Sequence, residues 1–160
     1  MTLLELLIVI TTISIIGSVA ATKMSSPASL TIGHQAKNFI SHIRHAQSLA
    51  QDWGCQLKIV VSTTGYEVRN KIAIASKPEC SLADTIIQDP TTAKNFSETF
   101  SNGVQISAGS TFDFDIKGIP RDTTTNAILA GAVSYDVVGG GNTITVSISN
   151  ITGFVSSTGP

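Results

Sequence analysis

Few residues of this 160-residue chain have the type and spacing to do chemistry, and the most telling is an acid in an apolar setting. Glu5 is the single charged residue between Leu3 and Ala21. Placing a carboxylate in such a stretch costs a few kcal/mol on insertion scales, and acids of this kind usually have a partner that can be named. If Met1 is the true first residue, its α-amino group is a cation within about one helical turn of Glu5, on its own or an adjacent helix. Two helices staggered by a few residues pair these charges reciprocally; the alternative is a membrane anchor in which Glu5 lies idle at the headgroup level. Cys55 and Cys80 are the second candidate pair, since an even cysteine count fits an exported, oxidised protein with a disulfide. Two unrelated buried thiols is the other reading, and no CxxC or Cys/His cluster of zinc spacing offers a third.

The remaining candidates point to little chemistry. His42 and His45 are three residues apart on a helical stretch that also holds His34, a spacing that can place two ligands on one face. No acid or cysteine completes the set nearby, so solvated or subunit-contact histidines are the expectation. Asp113, Asp115 and Asp122 are a candidate calcium set, but alternation in a strand puts the first two on its polar face without a calcium-loop geometry. There is no nucleophile elbow, metalloprotease helix or phosphate loop, so neither an enzyme nor a cofactor or metal is expected. Asn95-Phe96-Ser97 and Asn150-Ile151-Thr152 fit the glycosylation pattern, which is short enough to arise by chance. The net charge of −1 and the absence of any Lys or Arg beyond Arg121 argue against strong binding to nucleic acid.

The elements that carry these residues are readable in outline. From Leu3 to Ala21 the run makes about 30 Å of helix, enough to cross a bilayer. Its cationic residue, Lys23, follows the apolar stretch, which is the wrong order for a cleaved signal peptide. From Gly17 to Pro27 the chain combines glycine, serine and β-branched residues with a proline, so the helix should weaken there. From Leu30 to Trp53, Ile32, Ala36, Phe39, Ile43, Ala46 and Leu49 follow the spacing of an amphipathic helix, and Gly54 is placed to stop it. Thereafter the period shifts towards two. Residues 55–61 and 65–69 read as a hairpin around Ser62-Thr63-Thr64-Gly65, with further strands at 104–107, 111–116, 132–138, 143–149 and 153–156. Residues 77–103 read as a long loop tied back by Cys80. Only 13% of residues are charged, against about 25% in typical domains, which suits an extracellular β-rich surface.

The string Met1-Thr2-Leu3-Leu4-Glu5-Leu6-Leu7-Ile8-Val9-Ile10 resembles the processed N-terminus of type IV pilins and type II secretion pseudopilins. A looser resemblance, through Arg44 to Gln51 and Phe112 to Pro120, points to minor pseudopilins near a filament tip. The resemblance implies an α+β fold, a long N-terminal α-helix packed on an antiparallel β-sheet. Residues 1–29 would be a transmembrane and filament-core helix with an unwound hinge between Gly17 and Pro27, and residues 30–160 a globular head. It implies an N-methylated Met1 and an assembly salt bridge between Glu5 and a neighbouring Met1. It further implies a homo-oligomeric helical filament for adhesion or motility, or a low-copy secretion or DNA-uptake subunit. The partners implied are a prepilin peptidase, an assembly ATPase and an inner-membrane platform. The expected location is the bacterial inner membrane before assembly and the cell surface afterwards.

Overall fold

The computed structural model describes residues 3–23, 27–107 and 110–159, with side chains placed for 4–15 and from Thr31 onward. Among the described residues two helices, α1 (Leu3–Lys23) and α2 (Pro27–Trp53), precede nine strands. In chain order these are β1 (Leu57–Ser62), β2 (Gly65–Asn70), β3 (Ser97–Thr99), β4 (Gln105–Ile106), β5 (Phe112–Phe114), β6 (Pro120–Asp122), β7 (Val133–Gly139), β8 (Asn142–Ile148) and β9 (Val155–Thr158). A short 3-10 turn, Pro78–Cys80, interrupts the long connection after β2.

Pro27 opens α2, where its missing N–H costs nothing and its fixed φ is already helical. The spaced apolar residues of α2 are buried: Ile32, Ala36, Phe39, Ile43, Ala46, Leu49 and Ala50. The helix ends at Gly54, which takes a φ of +60°. Cys55 then donates its N–H back to the carbonyl of Ala50 at 3.1 Å, a closure that only a left-handed residue at 54 permits cheaply.

All strand pairs are antiparallel, and the strands divide into two sheets, ordered β3-β2-β1-β5-β6 and β4-β7-β8-β9. Alternate residues face inward, as with Leu57 and Ile59 on β1 and Val146 and Ile148 on β8. The β7–β8 connection is a two-residue turn in which Gly140 and Gly141 both have positive φ, the conformation that suits the twist of a hairpin. Both sheets cover α2. The ring of Phe39 lies 4.8 Å from that of Tyr66 on β2 and 5.6 Å from that of Tyr135 on β7, so one helix residue joins the two sheets in one core.

The expected single long N-terminal helix on one antiparallel sheet is therefore corrected on two counts. Among the described residues the N-terminal third forms two helices, Leu3–Lys23 and Pro27–Trp53, the second opened by a proline. The strands form two sheets, because after β6 the chain crosses to the β7–β9 meander, whose free edge is taken by β4.

The expected membrane span is corrected as well. Among the described residues, no helix is long and apolar enough to cross a membrane. Glu5, Thr11, Thr12 and Ser14 interrupt the apolar side chains between Leu4 and Ile15. The transmembrane helix, and with it the inner-membrane location from which a surface filament was expected to emerge, is thus not supported.

Candidate functional site

Every described side chain of α1 is exposed, although most are large and apolar. Leu4 is 70% exposed, and Leu6, Leu7, Ile8, Ile10 and Ile13 all stand at half or more. The hydroxyls of this segment turn inward along the helix itself. Thr11 Oγ1 lies 2.9 Å from the carbonyl of Ile8, Thr12 Oγ1 2.9 Å from that of Val9, and Ser14 Oγ 2.8 Å from that of Ile10. Such back-bonding satisfies each hydroxyl locally and leaves the outer surface of the rod dominated by hydrocarbon. Glu5 sits in the first turn of α1, where the positive end of the helix dipole favours an acid. Met1 lies outside the described residues, as do Met24 to Ser26. Gly17 is within α1 and Pro27 starts α2, so the described part of the expected hinge is helical at both of its ends.

Cys55 and Cys80 form a disulfide, with Cα atoms 6.4 Å apart. It fastens the connection after β2 to the end of α2. Lys77 closes the same corner: its Nζ donates to the carbonyl of Trp53 at 2.5 Å and of Gly54 at 2.9 Å, meeting helix carbonyls that have no partner within the helix.

The histidines are dispersed in role. His34 is exposed, with Asn38 Nδ2 at 3.4 Å. His42 Nδ1 is 2.6 Å from Tyr66 Oη, and its ring and that of His45 both pack on Phe96. Burial holds the His42 imidazole below its usual pKa against the opposing pull of Glu98 and Asp89. Among the described residues, no group of three His, Cys, Asp or Glu side chains is placed to hold a metal ion.

The aspartates differ from the strand-face expectation. Asp113 and Asp115 are both buried. Asp113 Oδ2 accepts from Lys71 Nζ and Oδ1 from Thr123 Oγ1, while burial pushes its carboxyl upward. Asp115 accepts the N–H groups of Lys117 and Ile119, each at 2.9 Å, and the guanidinium of Arg121 at 2.8 Å. Burial alone would raise its pKa, but these donors together bring it below the usual carboxylate range. Asp122 accepts from the N–H groups of Thr124 and Thr125, an Asx turn of ordinary kind. Of the two glycosylation patterns, Asn95 is exposed, whereas Asn150 Nδ2 donates to the carbonyl of Leu129 at 2.8 Å.

Sequence reasoning passed over a polar seam along α2. Arg44 Nη2 donates to the carbonyl of Val155 at 2.7 Å. Gln47 Nε2 donates to those of Gly118 and Thr152, and Gln51 Nε2 to that of Lys117, all at 2.8 Å. The spacing 44, 47, 51 is itself a helical stripe and was the available signal. These side chains tie the β5–β6 turn and the β8–β9 turn, which belong to different sheets, to one face of one helix. No family model matches this chain, and no curated protein and no solved structure shows significant similarity to it.

Proposed function

We propose that this chain is a structural subunit of a type IV pilus or related filament used in adhesion or motility, and that copies of it polymerise through α1. The observation that carries the reading is the contrast between the two helices. The core of the head, from Ile32 to Val155, includes no described α1 residue, while the described leucines and isoleucines of α1 are exposed to solvent. Removing a Leu or Ile side chain from water stabilises by about 1.5–3 kcal/mol, so several together supply on the order of 10 kcal/mol, enough to meet the entropy cost of association. Sister rods of the same composition are an occupant that scales with the number of subunits. The resemblance of residues 1–10 to the processed N-terminus of pilins supports the same reading, and so does the inward bonding of Thr11, Thr12 and Ser14.

The test is assembly by the full-length chain, followed by sedimentation and negative-stain electron microscopy. The parent should form thin fibres, and Leu7→Asp combined with Ile10→Asp should abolish them while leaving the circular dichroism of the head intact. A full-length protein that stays a monodisperse monomer in aqueous buffer, or a doubly charged variant that still forms fibres, overturns the proposal.

A further inference from the structure

At the C-terminal end of α2 a cleft of about 290 Å³ opens between three segments of the head. Trp53 forms one wall, Glu79 and Leu82, which flank Cys80, another, and Ile86 and Gln88 the third, with Asn70 of β2 also lining it. The walls are fixed by bonds already formed. Cys80 is tied to Cys55, and Lys77 Nζ donates to the carbonyl of Trp53. Asn70 donates its N–H to the carbonyl of Thr85 at 2.9 Å, and Ile87 donates its own to that of Val68 at 3.0 Å. Asn70 is 4% exposed, and its Nδ2 donates to the carbonyl of Glu79 at 3.0 Å. Its Oδ1 is buried and, among the described residues, has no donor. A buried acceptor left without a donor is costly, and native proteins keep few of them.

The chemistry of the cleft restricts its ligand. The unpartnered oxygen of Asn70 calls for a donor, and the Glu79 carboxylate is a second acceptor. Gln88 both donates and accepts, while the indole of Trp53 with Leu82 and Ile86 supplies an apolar wall. No Lys or Arg is among the lining residues, so nothing there balances an anion. A pyranose meets each of these demands. Its C–H face suits an aromatic wall, and its rim of hydroxyls donates to Asn70 and Glu79 and bonds either way with Gln88. We propose that this cleft binds one neutral pyranose ring, with Trp53 against the face of the sugar and one hydroxyl donating to Asn70 Oδ1. The site is independent of the filament reading, because every lining residue belongs to the head of one chain. In a polymer it would recur once per subunit, so that weak single contacts add up.

Trp53 is the single tryptophan of the chain, so its fluorescence reports on the cleft directly. The full-length chain is titrated with the methyl glycosides of glucose, galactose, mannose and N-acetylglucosamine. At least one should shift the emission saturably, with a dissociation constant on the order of 1 mM, as suits a ligand of few atoms. Leu82→Ser with Gln88→Ala should weaken that binding about tenfold and leave thermal unfolding unchanged, since both side chains are exposed. Asn70→Leu, which keeps the shape and removes the acceptor, should abolish the shift; where that variant fails to fold, the exposed pair decides. No saturable change with any of the four glycosides overturns the proposal. So does a folded Asn70→Leu that binds as the parent does, or binding that the Leu82 and Gln88 changes leave intact, which places the sugar elsewhere. Saturation by butylammonium chloride where the glycosides give none also overturns it and assigns the cleft to a cation. The filament reading is decided separately, by the presence or absence of fibres.

Discussion

Tyr66 Oη lies 2.6 Å from His42 Nδ1, and the direction of that bond is decided by its donor. Burial raises the Tyr66 phenol far above any working pH, so Tyr66 donates and Nδ1 must accept, which requires a neutral imidazole. The charged groups facing His42 are Glu98, Asp89 and His45, and burial outweighs them to give a net lowering. A histidine with a depressed folded pKa contributes its full stability above the unfolded value of 6.5 and loses it as pH falls through that value towards the folded one. Urea unfolding at pH 7.5 and 5.5 should therefore show lower stability at the acidic point. His42→Phe should flatten that dependence, and Tyr66→Phe should cost about 1 kcal/mol at pH 7.5 by removing one hydrogen bond. A parent protein that gains stability on acidification across this window contradicts the assignment.

Lys77 and the disulfide act on the same corner through different physics. Lys77→Met removes two charge-assisted bonds to the α2 C-terminus and should cost about 1–2 kcal/mol. Reducing the Cys55–Cys80 bond, which spans 25 residues, releases loop entropy in the unfolded chain and should cost about 3–4 kcal/mol. Thermal unfolding of each variant, with and without reductant, separates the two contributions. Equal melting temperatures for oxidised and reduced parent would contradict the second.

Asp115 is the most heavily bonded acid of the head. Arg121→Gln leaves its buried carboxylate with backbone donors alone and should destabilise by about 2 kcal/mol at neutral pH. Because the folded pKa is lowered, this stability is present above 3.8 and disappears as pH falls below it. The parent and Arg121→Gln should converge in stability between pH 4 and pH 2, and a difference that persists at pH 2 would sink the explanation.

Gly153→Ala tests the seam between the sheets. The residue has a φ of +69°, and an added Cβ would fall 2.3 Å from Gln47 Nε2 and 2.6 Å from the carbonyl of Gly118. The combined backbone strain and displaced hydrogen bonds should cost about 2–3 kcal/mol in denaturant unfolding. A neutral result would mean that the turns separate freely.

What the sequence determined by itself is the local structure. The three-and-four spacing from Ile32 to Leu49 specified α2 and its buried face, and Gly54 specified its end. These are short-range properties, because periodicity and positive φ act on neighbouring residues. The cysteine count likewise sufficed to suggest the bond that Cys55 and Cys80 make. Only the tertiary structure decided how the elements were shared out. Ser97–Thr99 and Pro120–Asp122 are strands because β2 and β5 offer them an edge, and three residues carry no period of their own. The burial of Asp113 and Asp115 depended on Lys71, forty-two residues away, and on a turn that brings Arg121 back. The division into two sheets arose because the β7–β9 meander pairs with β4 and not with β6, and among the described residues no helix is long and apolar enough to cross a membrane. Long-range pairing depends on which surfaces meet, and that information is distributed over the whole chain.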